Sequence, residues 1–252
     1  MEIIFLGTGG GRWTTLTQKL GTGGFRIHGD KKIHIDPGPG ALVALKNYDI
    51  SPLNTDAVIV THCHPDHYND AEVLIEAMTH GMTKSKGVLA ASESVLVGKN
   101  QLGPGISKYH KSKVRDIHLL KPWKEFDLYG LHIQALPTKH SDRTCVGLKL
   151  HADIGTITYT SDTQYFEGLS RYYKGSRVII FNAIRPKNAR IPWHLCSGDV
   201  VKIVREAEPE LVVMQHFGMK MLGITEEEAR WVEEKSGVKT ISAYDGLRLN
   251  LD

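Results

Sequence analysis

The residues best suited to chemistry lie between positions 61 and 67, where the sequence reads THCHPDH. This segment holds three histidines and one aspartate, and it directly follows the apolar run at positions 57–60. Imidazole and carboxylate together suit zinc, iron, manganese or nickel and bind calcium or magnesium poorly. The segment is too short to direct every donor to one ion, so its pattern predicts two adjacent metal ions.

The spacing within this segment separates its donors into two sets. His62 and His64 stand two positions apart and therefore reach the same side, whereas Cys63 is expected to face away from any metal. Asp66 and His67 begin the next element and point elsewhere. The alternative is a solvated polar loop that holds histidines by chance. Three histidines in six positions beside an aspartate argue against that alternative.

The elements that must position this segment are a strand before it and a helix after it. The β-branched run that ends at residue 60 predicts a buried strand over 57–61, and apolar spacing predicts a helix over 70–82. Later in the chain, strands and helices alternate. Helices are expected at 165–174, at 197–207 and at 225–236, the last with a capping box that begins at Thr225. Periodicity alone predicts one α/β domain.

Composition excludes several classes of protein. The 252 residues are 41% hydrophobic and 23% charged, and their net charge of +3 is too small to indicate a nucleic-acid groove by itself. Without a long apolar run, we expect no membrane partner. The three cysteines form no Cys-x-x-Cys pair and the N-terminus does not resemble a signal peptide, so a reducing, cytoplasmic setting is expected.

A glycine-rich turn at 7–11 follows the first predicted strand. Its spacing differs from a dinucleotide-binding fingerprint, and residues 12–15 do not look like the start of a helix. Two interpretations remain open. The turn is either a tight connection only, or a loop of backbone N–H groups at the rim of a metal site.

The pattern His-x-His-x-Asp-His is similar to the signature of the metallo-β-lactamase superfamily, and the resemblance covers nearly the whole chain. The N-terminal sequence Phe-Leu-Gly-Thr-Gly resembles the phosphodiesterase branch, which includes ribonuclease Z and the cyclic-ribose-phosphate phosphodiesterase. The resemblance implies a four-layered αββα sandwich formed as a single domain by residues 1–252. It also implies two divalent transition-metal ions, with zinc preferred to manganese or iron.

Further candidate ligands follow other predicted strands, and they are His140, Asp162 and His216. Any one of them alone would more often be structural, but together and in this order they support one assignment. The resemblance implies that His62, His64 and His140 bind the first metal, that Asp66, His67 and His216 bind the second, and that Asp162 bridges them. It also implies that Asp36 orients a ligand histidine and that Asp245 begins a closing Asp-Gly turn.

The implied chemistry is hydrolysis by a metal-bound hydroxide, since two cations lower the pKa of a bridging water. Asp66 is expected to orient that hydroxide or to shuttle its proton. His194 is the candidate that acts on the phosphate or the leaving group, because both enzymes named above carry a histidine at this place. Ser197 is expected to cap the next helix and so to place His194 just before a helix N-terminus. A packing role for His194 is the alternative.

The substrate expected is a small or cyclic phosphodiester, hence a small anionic molecule. The short interval from His140 to Asp162 has no room for a tRNA-gripping arm, and Asn182 replaces an acidic residue of ribonuclease Z. The alternatives are a ribonuclease Z-like nuclease acting on RNA, a glyoxalase-type thioesterase or lactonase, and a non-catalytic metal- or nucleic-acid-binding protein. Whether the chain is a homodimer, and whether the segment 103–113 is a lid or a solvated loop, both stay open.

Overall fold

The computed structural model describes residues 1–251, and their contacts divide the chain into two compact units. The first unit contains residues 1–8, 18–121 and 244–251, and the second contains residues 9–17 and 122–243. Within residues 1–251, no helix combines the length and the apolar character that are needed to cross a membrane.

The strands are short. In chain order they are β1 (Glu2–Phe5), β2 (Phe25–His28), β3 (Lys32–Ile35), β4 (Ala57–Val60), β5 (Val88–Ser92), β6 (Asp116–Leu120), β7 (Glu125–Leu128), β8 (Leu131–Pro137), β9 (Val146–Ala152), β10 (Gly155–Tyr159), β11 (Val178–Arg185), β12 (Leu195–Cys196), β13 (Leu211–Gln215), β14 (Thr240–Ser242) and β15 (Arg248–Asn250).

The helices lie between these strands. They are α1 (Arg12–Thr17), α2 (Ala41–Asn47), α3 (Pro65–Tyr68), α4 (Ala71–Met78), α5 (Glu93–Leu96), α6 (Lys108–Lys111), α7 (Leu169–Tyr173), α8 (Ser197–Ala207) and α9 (Thr225–Ser236), with 3₁₀ turns at Pro52–Asn54 and Met219–Met221.

The first unit contains a seven-stranded sheet in the order β15-β1-β2-β3-β4-β5-β6. The four strands from β3 to β6 run parallel, and the others pair antiparallel. Helix α4 covers this sheet with Leu74, Ile75 and Met78, which are fully buried against Val58 and Leu89. Burial of such apolar side chains is the main favourable contribution to folding. Because β3 and β4 are parallel neighbours, their carboxyl ends meet at one edge of the sheet.

The second unit contains the other sheet, in the order β14-β13-β11-β10-β9-β8-β7, with β12 beside β11. The strands from β10 to β14 run parallel, whereas β7 to β10 form an antiparallel meander. Because the chain direction alternates along the meander, β8 points the same way as β10. The ends of β8, β10, β11 and β13 consequently lie at the same edge of this sheet.

Sequence patterns predicted many of these elements. The expected bounds of α8 and α9 agree with the structure residue for residue. The helix expected over 70–82 ends at Met78, since the Thr79 hydroxyl donates to Ile75 O at 2.7 Å and His80 to Met82 have positive φ. The helix expected over 165–174 is only α7, because Gly168, with φ of 85°, precedes it.

Helix α1 shows that one prediction is wrong, because residues 12–15 were not expected to begin a helix. Threonine is a weak helix former, and two hydroxyls here donate to carbonyls four residues earlier, Thr15 to Gly11 O at 2.8 Å and Thr17 to Trp13 O at 2.7 Å. Thr14 also donates to Phe217 O at 3.3 Å. This tertiary contact stabilises a helix that the local sequence does not favour.

The start of α8 corrects the prediction that Ser197 caps this helix. Ser197 is the first helical residue, and Cys196 occupies the N-cap position. The carboxylate of Asp199 accepts a hydrogen bond from Cys196 N at 3.2 Å. The acid in the first turn therefore does the capping, and its negative charge also suits a helix N-terminus.

The capping box expected at Thr225 is also wrong. Ile224 occupies the N-cap position of α9, and no side chain caps the helix there. The carboxylate expected to complete the box, that of Glu228, is buried and binds Lys187 instead. The backbone N–H of Lys187 donates to Glu228 Oε2 at 2.9 Å, and Lys187 Nζ lies 3.2 Å from Glu228 Oε1. An unpaired buried carboxylate would cost more free energy than a helix N-terminus without a capping side chain.

The segment 103–113 contains helix α6 and is attached to α4. Ser107 caps α6, its backbone N–H donates to Glu72 Oε1 at 2.6 Å, and His110 lies between Glu72 and Glu76 at 3.0 and 3.1 Å. These contacts hold the segment within the first unit and give no support to a mobile lid.

Candidate metal centre

In the first unit, the ends of two neighbouring parallel strands bring the predicted donors together. Strand β3 ends just before Asp36, and β4 ends just before Thr61, from which the motif continues into α3. Asp36 has a φ of 52°, a left-handed conformation that turns its carboxylate back along the neighbouring strand end. There it accepts hydrogen bonds from Thr61 N and Thr61 Oγ1, both at 2.7 Å.

Asp36 and Thr61 set the orientation of two motif histidines. Nδ1 of His67 donates to Asp36 Oδ2 at 2.9 Å. The Thr61 hydroxyl uses its proton on Asp36, so it accepts from His62 Nδ1 at 3.2 Å. Both rings therefore carry the proton on Nδ1 and present Nε2 as the donor atom for a metal. Such outer hydrogen bonds commonly fix the tautomer of metal-binding histidines.

The other two motif residues face these Nε2 atoms. His62 Nε2 lies 3.1 Å from His64 Nδ1, and His67 Nε2 lies 3.8 Å from Asp66 Oδ2. The rings of His62 and His67 are also close, with centroids 4.1 Å apart, so the four side chains form one cluster. His62 and His67 are buried, whereas His64 and Asp66 are partly exposed.

In the second unit, three histidines surround one buried carboxylate. Asp162, which follows β10, has 2% of its surface exposed. Its Oδ2 lies 3.3 Å from His194 Nε2 and 3.8 Å from His140 Nε2, and its Oδ1 lies 3.3 Å from His216 Nε2. His140 and His194 meet edge to face, with ring centroids 5.0 Å apart. The structure therefore places all four predicted residues of this unit together.

Backbone carbonyls orient two of these rings. Nδ1 of His140 donates to Trp193 O at 2.9 Å, and Nδ1 of His194 donates to Pro192 O at 3.1 Å. A carbonyl oxygen only accepts, so both rings carry the proton on Nδ1. The loop before β12 thus positions His194 directly and His140 through Trp193, whose φ of 69° turns the chain at this point.

Asn182 supports Asp162 from β11. Its Nδ2 donates to Asp162 Oδ1 at 2.8 Å, and its Oδ1 accepts from Gln215 Nε2 at 3.1 Å. An amide donor at this position stabilises a negatively charged Asp162, whereas a carboxylate would repel it. In the sequence, Asn182 was identified only as the residue that replaces an acidic residue of ribonuclease Z. The structure shows that Asn182 positions Asp162.

The donors of each unit fit transition-metal ions. They are imidazole nitrogens and carboxylate oxygens, neighbouring hydrogen bonds set the tautomers of His62, His67 and His140, and the most buried donors lie at strand ends. The cysteines do not add to this set. Burial raises the pKa of the Cys145 and Cys196 thiols, and Cys63 is buried in the apolar core of the first unit.

The glycine turn approaches one of the predicted ligands closely. Gly10 N donates to Phe217 O at 3.1 Å, and a Cβ on Gly10 would lie 2.2 Å from the ring of His216. No side chain fits at this distance, so glycine is required by contact with His216. The turn is therefore more than a connection, and it supports the histidine that follows β13.

We expect Gly10→Ala to weaken zinc binding about 10- to 100-fold, as loss of a supporting contact around a ligand typically does. The added methyl group must push the ring of His216 aside. Competition with a chromophoric chelator measures the affinity. Gly29→Ala is the matched control, because a Cβ there would meet only Met1 Cε at 4.0 Å. Equal zinc affinity in both variants would contradict a supporting role for Gly10.

Residues 31–217 match the family described as the β-lactamase superfamily domain, and the chain belongs to this superfamily. The predicted family is thus confirmed, and membership bears out the predicted class, a metal-dependent hydrolase. An uncharacterized protein of Methanocaldococcus jannaschii is 45% identical over 100% of this chain and 95% of its own length. A metal-dependent hydrolase of Pyrococcus horikoshii is 25% identical over 91% of this chain and 97% of its own length. Ribonuclease Z of Thermococcus sibiricus is 35% identical over 31% of this chain and 25% of its own length.

Solved structures confirm the fold. The metallo-β-lactamase fold protein YhfI of Bacillus subtilis superimposes with a TM-score of 0.81 at 19% identity, over 98% of both chains. A diphosphatase of the PhnP family superimposes with a TM-score of 0.71 at 18% identity, over 98% of this chain and 96% of the other. The predicted α/β metallo-β-lactamase fold is therefore confirmed.

Proposed function

We propose that this chain is a phosphodiesterase of small, including cyclic, phosphodiesters, and that it uses two zinc ions as cofactors. The observation that carries the proposal is the position of His194. Its Nε2 lies 3.3 Å from Asp162 Oδ2, and it also lines an open cavity. A histidine in this position can deliver a proton to a leaving oxygen, which thioester hydrolysis needs far less because a thiolate leaves easily.

Metal ions in such a site activate water and neutralise the charge of the phosphate. The residues then perform the proton transfers. We propose that Asp66 accepts the proton of the attacking water while a new P–O bond forms. The bond to the leaving oxygen breaks, and His194 donates the proton from Nε2 to that oxygen. The hydrogen bond from Nδ1 to Pro192 O keeps Nε2 as the atom that exchanges the proton.

The cavity beside His194 suits a small leaving group. Its volume is about 380 Å³, within the range of small-molecule sites. The residues that line it are Gln164, Tyr165, Arg190, Ile191, Pro192, His194 and Asp199. Tyr165 and Pro192 offer apolar surface to a ring. The guanidinium of Arg190 pairs with Asp199 through Nε and Nη2, and its remaining N–H groups can donate to a polar substituent.

One residue supports this choice over a ribonuclease Z-like nuclease. Asn182 stands in contact with Asp162 where a ribonuclease Z-like acid would be expected. Within residues 1–251 none of the three cysteines forms a disulfide, which suits the cytoplasmic location that we propose.

A substrate panel tests the proposal. We expect metal-loaded protein to hydrolyse bis(nitrophenyl) phosphate and a 2′,3′-cyclic nucleotide with a higher kcat/KM than a thioester or a lactone, and to cleave precursor tRNA poorly. Elemental analysis of the same sample should give about two zinc ions per chain. Chelator-treated protein, with and without added zinc, is the control. A preference for the thioester, or efficient tRNA processing, would overturn the proposed substrate class.

A further inference from the structure

A buried arginine in the first unit lies far from the predicted metal ligands. Arg26, on β2, has 0% of its surface exposed. Its Nε donates to His28 Nε2 and its Nη1 to Thr55 Oγ1, both at 2.9 Å. Nη2 is buried and has no hydrogen-bond partner among the described residues. The charge of Asp56 partly offsets that of the guanidinium, but no carboxylate accepts a hydrogen bond from Nη2. A buried N–H group without an acceptor is costly, so an anion bound at Nη2 would be stabilising.

Arg26 lines a cavity of about 210 Å³ that is rich in cationic groups. The residues that line it are Arg26, His28, Lys32, Asp49, Ile50, Ser51, Asn54 and Arg248. Two acids close to the cavity partly offset its positive charge. Glu2 pairs with Arg248 at 3.3 Å, and Asp56 accepts a hydrogen bond from Lys32 N at 3.0 Å. Asp49 is the one acid in the lining, against three cations.

The behaviour of His28 agrees with a positive potential in this cavity. Burial first, and then the positive charges of Arg26, Lys32 and Arg248, lower the pKa of His28 to about 4, against the opposing effect of Glu2. His28 is therefore neutral near pH 7. Its Nε2 accepts from Arg26, which leaves the guanidinium as the main charge at the inner end of the cavity.

We propose that this cavity binds a phosphate group, with Arg26 as its innermost contact and Lys32 and Arg248 at its mouth. The guanidinium offers a planar array of donors that matches phosphate oxygens. Ser51 and Asn54 supply neutral hydrogen-bonding groups in the same lining. The volume admits inorganic phosphate or the phosphate of a small monoester.

This site is separate from the metal ligands of its unit. Lys32 begins β3, whereas Asp36 follows the other end of the strand, and at roughly 3.3 Å per residue the two positions are about 13 Å apart. Phosphate bound near Arg26 therefore does not compete for the donors of residues 61–67. The proposal is independent of the substrate that the metal centre hydrolyses.

Calorimetric titration of the metal-loaded protein with inorganic phosphate tests the proposal. We expect Lys32→Gln and Arg248→Gln each to weaken phosphate binding about tenfold, the usual effect of losing one charged hydrogen bond. Lys99→Gln is the matched control, because it removes the same charge from an exposed ion pair with Glu93 in the same unit. Glycerol 3-phosphate forms the second arm. Tighter binding than phosphate indicates an organic monoester as the ligand, and equal binding indicates free phosphate.

A second readout reports on the cavity itself. Phosphate beside Arg26 should raise the pKa of His28 above about 4, since an anion favours the charged imidazole. Ring NMR in phosphate and in chloride at equal ionic strength measures this change. Arg26→Met is the most direct variant but removes a fully buried side chain, so the decision rests on Lys32 and Arg248. Phosphate binding that neither variant weakens, with an unchanged His28, would overturn the proposal.

Discussion

Replacing Asp162 with alanine is expected to remove most of the bound metal and to lower kcat/KM for a phosphodiester by at least about 10³-fold. Bound cations supply several kcal/mol of transition-state charge stabilisation, and each 1.36 kcal/mol corresponds to a factor of ten. The carboxylate of Asp162 lies within 3.8 Å of three imidazole Nε2 atoms, those of His140, His194 and His216. Loss of this carboxylate therefore removes the negative charge around which the second unit arranges its donors.

A second buried carboxylate separates metal loss from simple loss of stability. Glu228 has 2% of its surface exposed, belongs to the same unit, and pairs with Lys187. Glu228→Ala should lower the free energy of unfolding, because it removes the buried carboxylate that pairs with Lys187, yet it should keep the metal. Elemental analysis, urea unfolding and steady-state kinetics compare the two variants. If Asp162→Ala retains wild-type metal content, Asp162 is not the bridging ligand that the family resemblance implies.

The metal-binding motif could be predicted from sequence because local patterns mark the ends of strands. The β-branched run at 57–60 identifies β4, and residues 61–67 follow it directly. Asp162 and His216 likewise follow short apolar strands, β10 and β13. Parallel strands in one sheet bring their carboxyl ends to one edge, so order along the chain is enough to predict proximity within each unit.

Apart from the contact of Asp36 with a ligand histidine, which the family resemblance implied, the supporting contacts could not be predicted, because they join residues that are distant in sequence. Gly10 packs on His216, Asn182 donates to Asp162, and Trp193 O orients His140. None of these pairs has a repeat or a spacing that sequence inspection detects. Thr61 is the exception, since a hydroxyl next to the motif is a signal that sequence analysis could have used.

Local rules also failed where tertiary partners compete with them. Residues 12–17 form α1 because hydroxyl and backbone contacts, including one to Phe217, outweigh low helix propensity. The carboxylate of Glu228 binds Lys187 and does not cap the start of α9, as the sequence had indicated. In both cases the favourable interaction exists only after distant segments have packed, so the sequence window around the residue does not contain it.

His194→Ala is expected to retain its metal and to lose about 10²- to 10⁴-fold in kcat on a phosphodiester with a poor leaving group, the usual range for positioned acid catalysis. The loss should shrink on a nitrophenyl ester, because nitrophenolate needs little protonation. The geometry behind this expectation is the pair of hydrogen-bonding partners of the ring, Pro192 O at Nδ1 and Asp162 Oδ2 near Nε2.

His151→Ala is the matched control for this variant. His151 is exposed on β9 in the same unit, and its Nδ1 lies 3.1 Å from Thr156 Oγ1, so its loss should change neither metal content nor kcat.

Each outcome for His194→Ala assigns the residue a different role. Loss of metal would make His194 a ligand, which its 3.3 Å approach to Asp162 permits. An equal loss of kcat on both leaving groups would indicate binding of the phosphate, because only a proton donor discriminates between the two esters. Unchanged kcat on both would make His194 structural and remove the observation on which the proposed phosphodiesterase activity rests.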